Sequence, residues 1–228
     1  MNKFLSFLKR NLWNIIAIAI AVVMLVIDII TKQLVVKNMA PGDSITLIKG
    51  FLNITYTVNT GAAFGFSVGD EVVNRVLYCI IASLALSAII FFYVWKNKKI
   101  TPYVKITMLL IAAGALGNLI DRIFYSPEFL GEGVQHNGVV DWIDFCGIWA
   151  FIFNIADSCV VIGAIMLIVW LIVTEVKETK AKRAQEQAEN NGKVLSLEEQ
   201  ERLQANNTDS VAENAGKEQK NNEEKPTE

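Results

Sequence analysis

Three aspartates, Asp141, Asp144 and Asp157, fall within VVDWIDFCGIWAFIFNIAD, a stretch that passes from a loop into an apolar helix. An ionised carboxylate is costly in a hydrocarbon environment unless a partner offsets it, so carboxylates kept at such a boundary are candidates for function. Two carboxylates a few ångströms apart cannot both ionise easily; one pKa rises and the pair holds a proton. Such a pair can activate water with one member and protonate a departing amine with the other, which is peptide-bond chemistry. Asp141 and Asp157 are the pair singled out here. They meet if residues 141–150 fold back over the end of the last apolar helix.

This chemistry calls for no metal and no cofactor. The sequence carries neither HExxH nor GxSxG, and its one histidine, His136, has no second ligand nearby. Ser158 has no lysine placed near it for a Ser–Lys pair. Cys79, Cys146 and Cys159 form an odd set, two of them in apolar runs where cysteine acts as a small hydrophobe, so neither a disulfide framework nor a zinc site is read.

Other polar residues recur at helical spacing. Asp28 and Lys32 stand at i and i+4 and can pair, either as an interfacial ion pair finishing a helix or as a brace for a site. Asn118, Asp121 and Arg122 stand at i, i+3 and i+4 and project from one face. There Arg122 is expected to neutralise Asp121 while Asn118 offers hydrogen bonds, although a buried pair that only locks helices would look the same. Asn154 and Asp157 are expected on one face of the last helix. Asn59-Thr60-Gly61-Ala62-Ala63-Phe64-Gly65 allows close backbone approach, or is an ordinary tight turn.

The elements that must position these groups lie in a membrane. The 228 residues are 53% hydrophobic and only 19% charged, with mean hydropathy +0.37, which suits a small polytopic membrane protein. Four runs reach the roughly 20 residues a span needs, at about 13–35, 71–95, 103–125 and 151–173. The first follows a basic start but is too long for a signal-peptide core, so it is read as retained. Residues 44–60, rich in β-branched and aromatic side chains, predict short strands. The expected fold class is thus an all-α polytopic membrane protein with four transmembrane helices, a small extracytoplasmic β element and a disordered C-terminal tail.

Residues 1–12 form a cytosolic N-terminus, 13–174 the membrane domain, and 175–228 a charged tail with a short helical extension and then disorder. The tail holds 9 basic and 13 acidic residues against 12 and 10 in the rest, and neither balance suggests nucleic-acid binding. Basic clusters flank the N-terminus, the loop 96–105 and the exit after residue 174, which places both termini in the cytosol and the loops 36–70 and 126–150 outside. The polar groups of several segments then converge at one depth near the outer leaflet. A transporter or proton channel using the same acids would need a polar path across the bilayer, yet the inner halves of the spans are apolar apart from Asn14. A scaffold would use the same residues only to lock helices.

Five segments carry a family resemblance: Asp28 to Lys32, Asn59 to Phe64, Gly117 to Arg122, Val139-Val140-Asp141 with Asp144-Phe145, and Phe153 to Asp157. In this order, from about residue 13 to 173, the chain resembles lipoprotein signal peptidase, or signal peptidase II. The resemblance implies an aspartic endopeptidase of the bacterial cytoplasmic membrane that cuts a signal peptide just before a diacylglyceryl-modified cysteine. It implies Asp141 and Asp157 as catalytic pair, Asn59, Asn118, Arg122 and Asn154 as supporting or substrate-contacting residues, and Asp28, Lys32, Gly61 and Asp121 as site-supporting. Implied partners are diacylglyceryl-modified prolipoprotein signal peptides, membrane lipids and a globomycin-type inhibitor, with the enzyme a monomer and the outer loop a β-cradle on the membrane. Two departures stand out: a longer insertion between Arg122 and Val140, and the tail beyond Lys182.

Overall fold

The computed structural model describes residues 2–61, 70–134 and 137–223. Ala62, Ala63, Phe64 and Gly65 of the small-residue motif, and His136, lie outside the described residues. Four long helices, α1 (Asn2–Asn38), α2 (Glu71–Lys96), α3 (Pro102–Phe124) and α5 (Ile155–Glu223), are joined by a short helix α4 (Pro127–Leu130) and three strands. Among the described residues four helices are long and apolar enough to cross a membrane: Leu5–Asn38, Val72–Lys96, Pro102–Phe124 and Ile155–Asn191. Their apolar side chains point outward; Phe91 and Val94 are 67% and 69% exposed, which suits lipid and not water.

Local chemistry sets the helix starts. Asp70 caps α2 by accepting from the Val73 amide at 2.8 Å, and Thr101 caps α3, with Pro102 in its first turn. The last helix begins at Ile155, later than the expected 151, because residues 139–153 are used differently. The strands β1 (Ser44–Ile48), β2 (Leu52–Asn59) and β3 (Val139–Asp144) form an antiparallel sheet in the order β1-β2-β3. Gly50, at φ +73°, supplies the left-handed residue in the β1–β2 turn. β3 was expected as loop; its VVDWID pattern is β-branched and aromatic, and β2 offers it an edge from Asn53↔Asp144 to Asn59↔Val139. A register shift between Ile54 and Thr57 breaks this pairing.

The sheet is pinned to the helices by a small core of Val35, Tyr56, Tyr125, Leu130 and Val140. The Tyr56 hydroxyl donates to the Leu130 carbonyl at 2.6 Å, and burial pushes its pKa up to about 12, so it stays a donor. The insertion between Arg122 and Val140 therefore contributes α4 and Leu130 to this core.

Helices α3 and α5 touch through glycines. A Cβ on Gly114 would strike the Ala156 carbonyl and, at 2.7 Å, Val160; one on Gly117 would lie 2.6 Å from Asp28 Oδ2. At the opposite ends of the helices, Asn14 is not an isolated polar residue. Its Oδ1 accepts from Lys105 Nζ at 2.6 Å and from Asn97 Nδ2 and the Tyr93 hydroxyl at 3.2 Å, clamping α1, α2 and α3.

The chain divides into two compact units, residues 1–170 and 171–228. In the second, helix α5 runs to Glu223. Its Lys-, Glu-, Gln- and Ala-rich composition favours helix, and Glu189 pairs with Lys193 at i,i+4 and 2.7 Å.

Gly114→Ala is expected to destabilise the protein by about 1–3 kcal/mol, the usual cost of overpacking. A lowered melting temperature in detergent checks this; an unchanged one contradicts the close α3–α5 contact.

Candidate active site

Lys32, on α1, lies in a place with no access to solvent, with three side-chain oxygens around its ammonium group. Its Nζ is 2.8 Å from Asp28 Oδ2, 2.8 Å from Asp121 Oδ2 and 3.1 Å from Asn118 Oδ1. The two aspartates carry the contact onward. Asp28 Oδ1 accepts from the Ala156 amide in the first turn of α5 at 2.8 Å, and Asp121 Oδ2 accepts from the Val140 amide of β3 at 3.3 Å. One buried cation thus joins α1, α3, α5 and the sheet. The Asp28–Lys32 pair is fully buried within the protein. Asp121 pairs with Lys32 and not with Arg122; adjacent helical residues point about 100° apart, so Arg122 turns elsewhere. Its guanidinium donates to the carbonyls of Asn118 at 3.0 Å and Gly61 at 3.2 Å, with the Tyr78 ring 5.8 Å away.

Lys32 also settles how Asn118 is turned. An ammonium only donates, so it faces the amide oxygen, and the amide nitrogen points to Asp157 Oδ1 at 2.7 Å. Asn154 is equally constrained. It is the cap of α5 and not a residue of its face, as the spacing had suggested. Its Oδ1 accepts from the Asp157 amide at 2.9 Å while Asp157 Oδ2 accepts from the Asn154 amide at 3.3 Å, a reciprocal capping box. With the oxygen so used, the Asn154 amide nitrogen reaches Asp141 Oδ1 at 2.7 Å, Asn118 Oδ1 at 3.1 Å and the Val140 carbonyl at 3.3 Å.

Asp141 sits in β3 opposite Thr57, buried and held from the other side by Asn59 Nδ2 at 3.1 Å. The Asn59 oxygen accepts from the Gly61 amide at 3.0 Å. Burial first, and the Asp157 charge second, push the Asp141 pKa up to about 7, against the pull of the Asn59 hydrogen bond and of Lys32. Both causes favour the protonated form of this carboxyl, which suits a proton-sharing pair.

All ten residues singled out from the sequence, Asp28, Lys32, Asn59, Gly61, Asn118, Asp121, Arg122, Asp141, Asn154 and Asp157, are linked in this network. Asp144 is not among them: its oxygens accept from the Thr55 hydroxyl and the Cys146 amide, both at 2.9 Å. Ser158 donates to the Asn154 carbonyl at 3.0 Å, a local helix contact. The backbone amides of Val140 and Ala156 were not foreseen; β-branched patterning in VVDWID was the available signal for the first. Among the described residues no three His, Cys, Asp or Glu side chains are grouped to hold a metal ion.

Lys32→Met is expected to cost roughly 3–5 kcal/mol, because it leaves two buried carboxylates without their cation; a melt in detergent reads it. The raised Asp141 pKa has the opposite sign to an ordinary salt-bridged acid. The folded protein binds the extra proton between the ordinary carboxylate value and about 7, so this group's contribution to stability falls as pH rises through that window. Asp141→Asn is expected to raise the melting temperature relative to wild type at pH 8 and to change it little at pH 4. An equal shift at both pH values contradicts the assignment.

An aspartate pair held by asparagines at the end of an apolar four-helix bundle is the frame into which known proteins fit. The family model described as Signal peptidase (SPase) II matches residues 20–173. The chain is 37% identical over 173 residues to a lipoprotein signal peptidase of Staphylococcus aureus, covering 75% of this chain and 93% of that one. It is 36% identical over 157 residues to that of Fusobacterium nucleatum, covering 68% and 86%. A solved bacterial membrane enzyme superposes with TM-score 0.57 at 36% identity, covering 68% of this chain and 87% of its own. With a matching domain that includes both aspartates and relatives matched over nearly their whole length, the chain belongs to the signal peptidase II family of bacterial multi-pass membrane proteases that process prolipoproteins.

Proposed function

We propose that this protein is an aspartic endopeptidase that cuts a prolipoprotein just before its diacylglyceryl-modified cysteine, with Asp141 and Asp157 activating one water. The observation that carries this reading is the double engagement of Asn154. Its side-chain nitrogen holds Asp141 while its backbone and side-chain oxygen hold Asp157, so one residue sets both carboxylates against each other.

One carboxylate takes a proton from water as the oxygen attacks the carbonyl carbon preceding the cysteine. The other, protonated, gives its proton to the carbonyl oxygen. Collapse breaks the C–N bond: the cysteine nitrogen leaves as the amine with the proton held by the first acid, one hydroxyl of the tetrahedral centre returns its proton to the second acid, and the signal peptide keeps a new carboxyl group that ionises in water. The two acids titrate as one unit. Asn59, Asn118 and Asn154 restrict their rotation so that little reorganisation accompanies the proton transfers. Arg122, on two carbonyls beside the pair, orients the Asn118 backbone and the Gly61 turn.

The basic clusters favour cytosolic termini, and on that reading the site lies near the outer leaflet. A lipid-anchored substrate held at that depth reaches it by lateral diffusion. On this reading residues 13–174 are the peptidase, working as a monomer and blocked by a globomycin-type inhibitor, with 175–228 a cytosolic extension.

Asp141→Asn and Asp157→Asn are each expected to lower the cleavage rate by about 10²–10⁴-fold, the range for losing a general acid or base. Cleavage of a diacylglyceryl-modified precursor by purified protein in liposomes measures this; wild-type rates in either variant would refute the mechanism.

A further inference from the structure

A groove of about 430 Å³ runs between α2 and α3, lined among others by Arg75, Cys79, Ile80, Ser83, Leu84 and Arg122. Two features of this groove are unusual. From Arg75 to Leu84 is nine residues of helix, about 14 Å at 1.5 Å per residue, or about half of a ~30 Å hydrocarbon core. The groove is thus as deep as one leaflet. Its deep part is apolar and faces lipid, with Ile80 51% and Leu84 66% exposed, while its mouth carries two guanidinium groups.

Arg122 connects that mouth to the acids. It donates to the Asn118 carbonyl, and the Asn118 side chain holds Asp157. Arg75 is half-buried and, among the described residues, has no hydrogen-bond or ion-pair partner. A guanidinium carries five N–H donors, and beside lipid they require oxygen acceptors. On the reading that both termini are cytosolic, an arginine at the outer end of a span also runs against the usual charge bias.

Resting on the function proposed above, we propose that this groove is the acyl-chain subsite of the peptidase. One acyl chain of the substrate's thioether-linked diacylglyceryl group lies along Ile80, Ser83 and Leu84, and its ester carbonyl accepts from Arg75. The occupant is the substrate's own chain, because the mouth opens beside the arginine that adjoins Asp157, and only the substrate must place its reacting bond there. A bulk phospholipid would be held without regard to the reaction.

The test uses full-length protein in phosphatidylcholine liposomes and two precursor peptides, one with dihexadecanoylglyceryl and one with dibutanoylglyceryl on the cysteine. Ser83→Trp fills the groove below its mouth. It is expected to raise KM for the long-chain precursor about tenfold more than for the short-chain one, since each buried methylene is worth about 0.8 kcal/mol. Arg75→Gln is expected to raise KM for both by about tenfold, the loss of one charge-assisted hydrogen bond. Equal KM shifts for the two precursors in Ser83→Trp would overturn the proposal. A binding readout stands apart from turnover: in an Asp141→Asn protein with Cys146→Ser and Cys159→Ser, maleimide labelling of Cys79 should slow at least fivefold with the long-chain precursor and not with the short-chain one. Labelling unaffected by the long-chain precursor, or slowed equally by phosphatidylglycerol alone, overturns it. If wild-type protein cleaves neither precursor, the peptidase reading fails, whereas Cys79 protection still reports on the groove.

Discussion

A single ammonium group with no water around it sets the arrangement of this molecule. Lys32 can remain charged in that position only because three acceptors surround it, and those acceptors come from α1 and α3. Each aspartate is in turn tied to a backbone amide, one on α5 and one on β3. Moving any of these elements would strand a buried charge, so packing of the helices and docking of the sheet are coupled. Glycines 114 and 117 make the coupling possible by letting α3 and α5 approach closely enough for Asp28 to reach the Ala156 amide.

The reactive end inherits its geometry from that arrangement. Lys32 turns the Asn118 amide, which presents its nitrogen to Asp157; the α5 capping box turns Asn154, which presents its nitrogen to Asp141. Two asparagines therefore transmit the rigidity of a buried ion cluster to two acids. They do so without adding charge, which leaves the acids free to share a proton. Asp141 rests on a strand and Asp157 on a helix start, both regular elements that hold a side chain more firmly than a loop would.

Much of this could be read from residue spacing. The i,i+4 pair Asp28–Lys32, the apolar runs and the aspartates at a membrane boundary signalled both the spans and the acids. The partnerships among them were less legible. Asp121 could equally have faced Arg122 or a distant lysine, because helical periodicity fixes a face and not the neighbour that meets it. β3 was hidden since the strand that VVDWID pairs with lies 80 or more residues earlier, and a long-range partner leaves no local trace. Asn154 looked like a helical residue because a cap and the first helical turn share the same spacing. Asn14 looked incidental until Lys105 and Asn97, from two other segments, closed around it.

The account stands or falls on the two acids acting as one unit, and a double-mutant cycle on kcat/KM measures that. Asp141→Asn, Asp157→Asn and the double variant would be compared with wild type on a lipidated precursor in liposomes. The account predicts that the double variant is no slower than the worse single one, as expected for residues that serve a single step. Losses that multiply, with each acid contributing independently of the other, would contradict it.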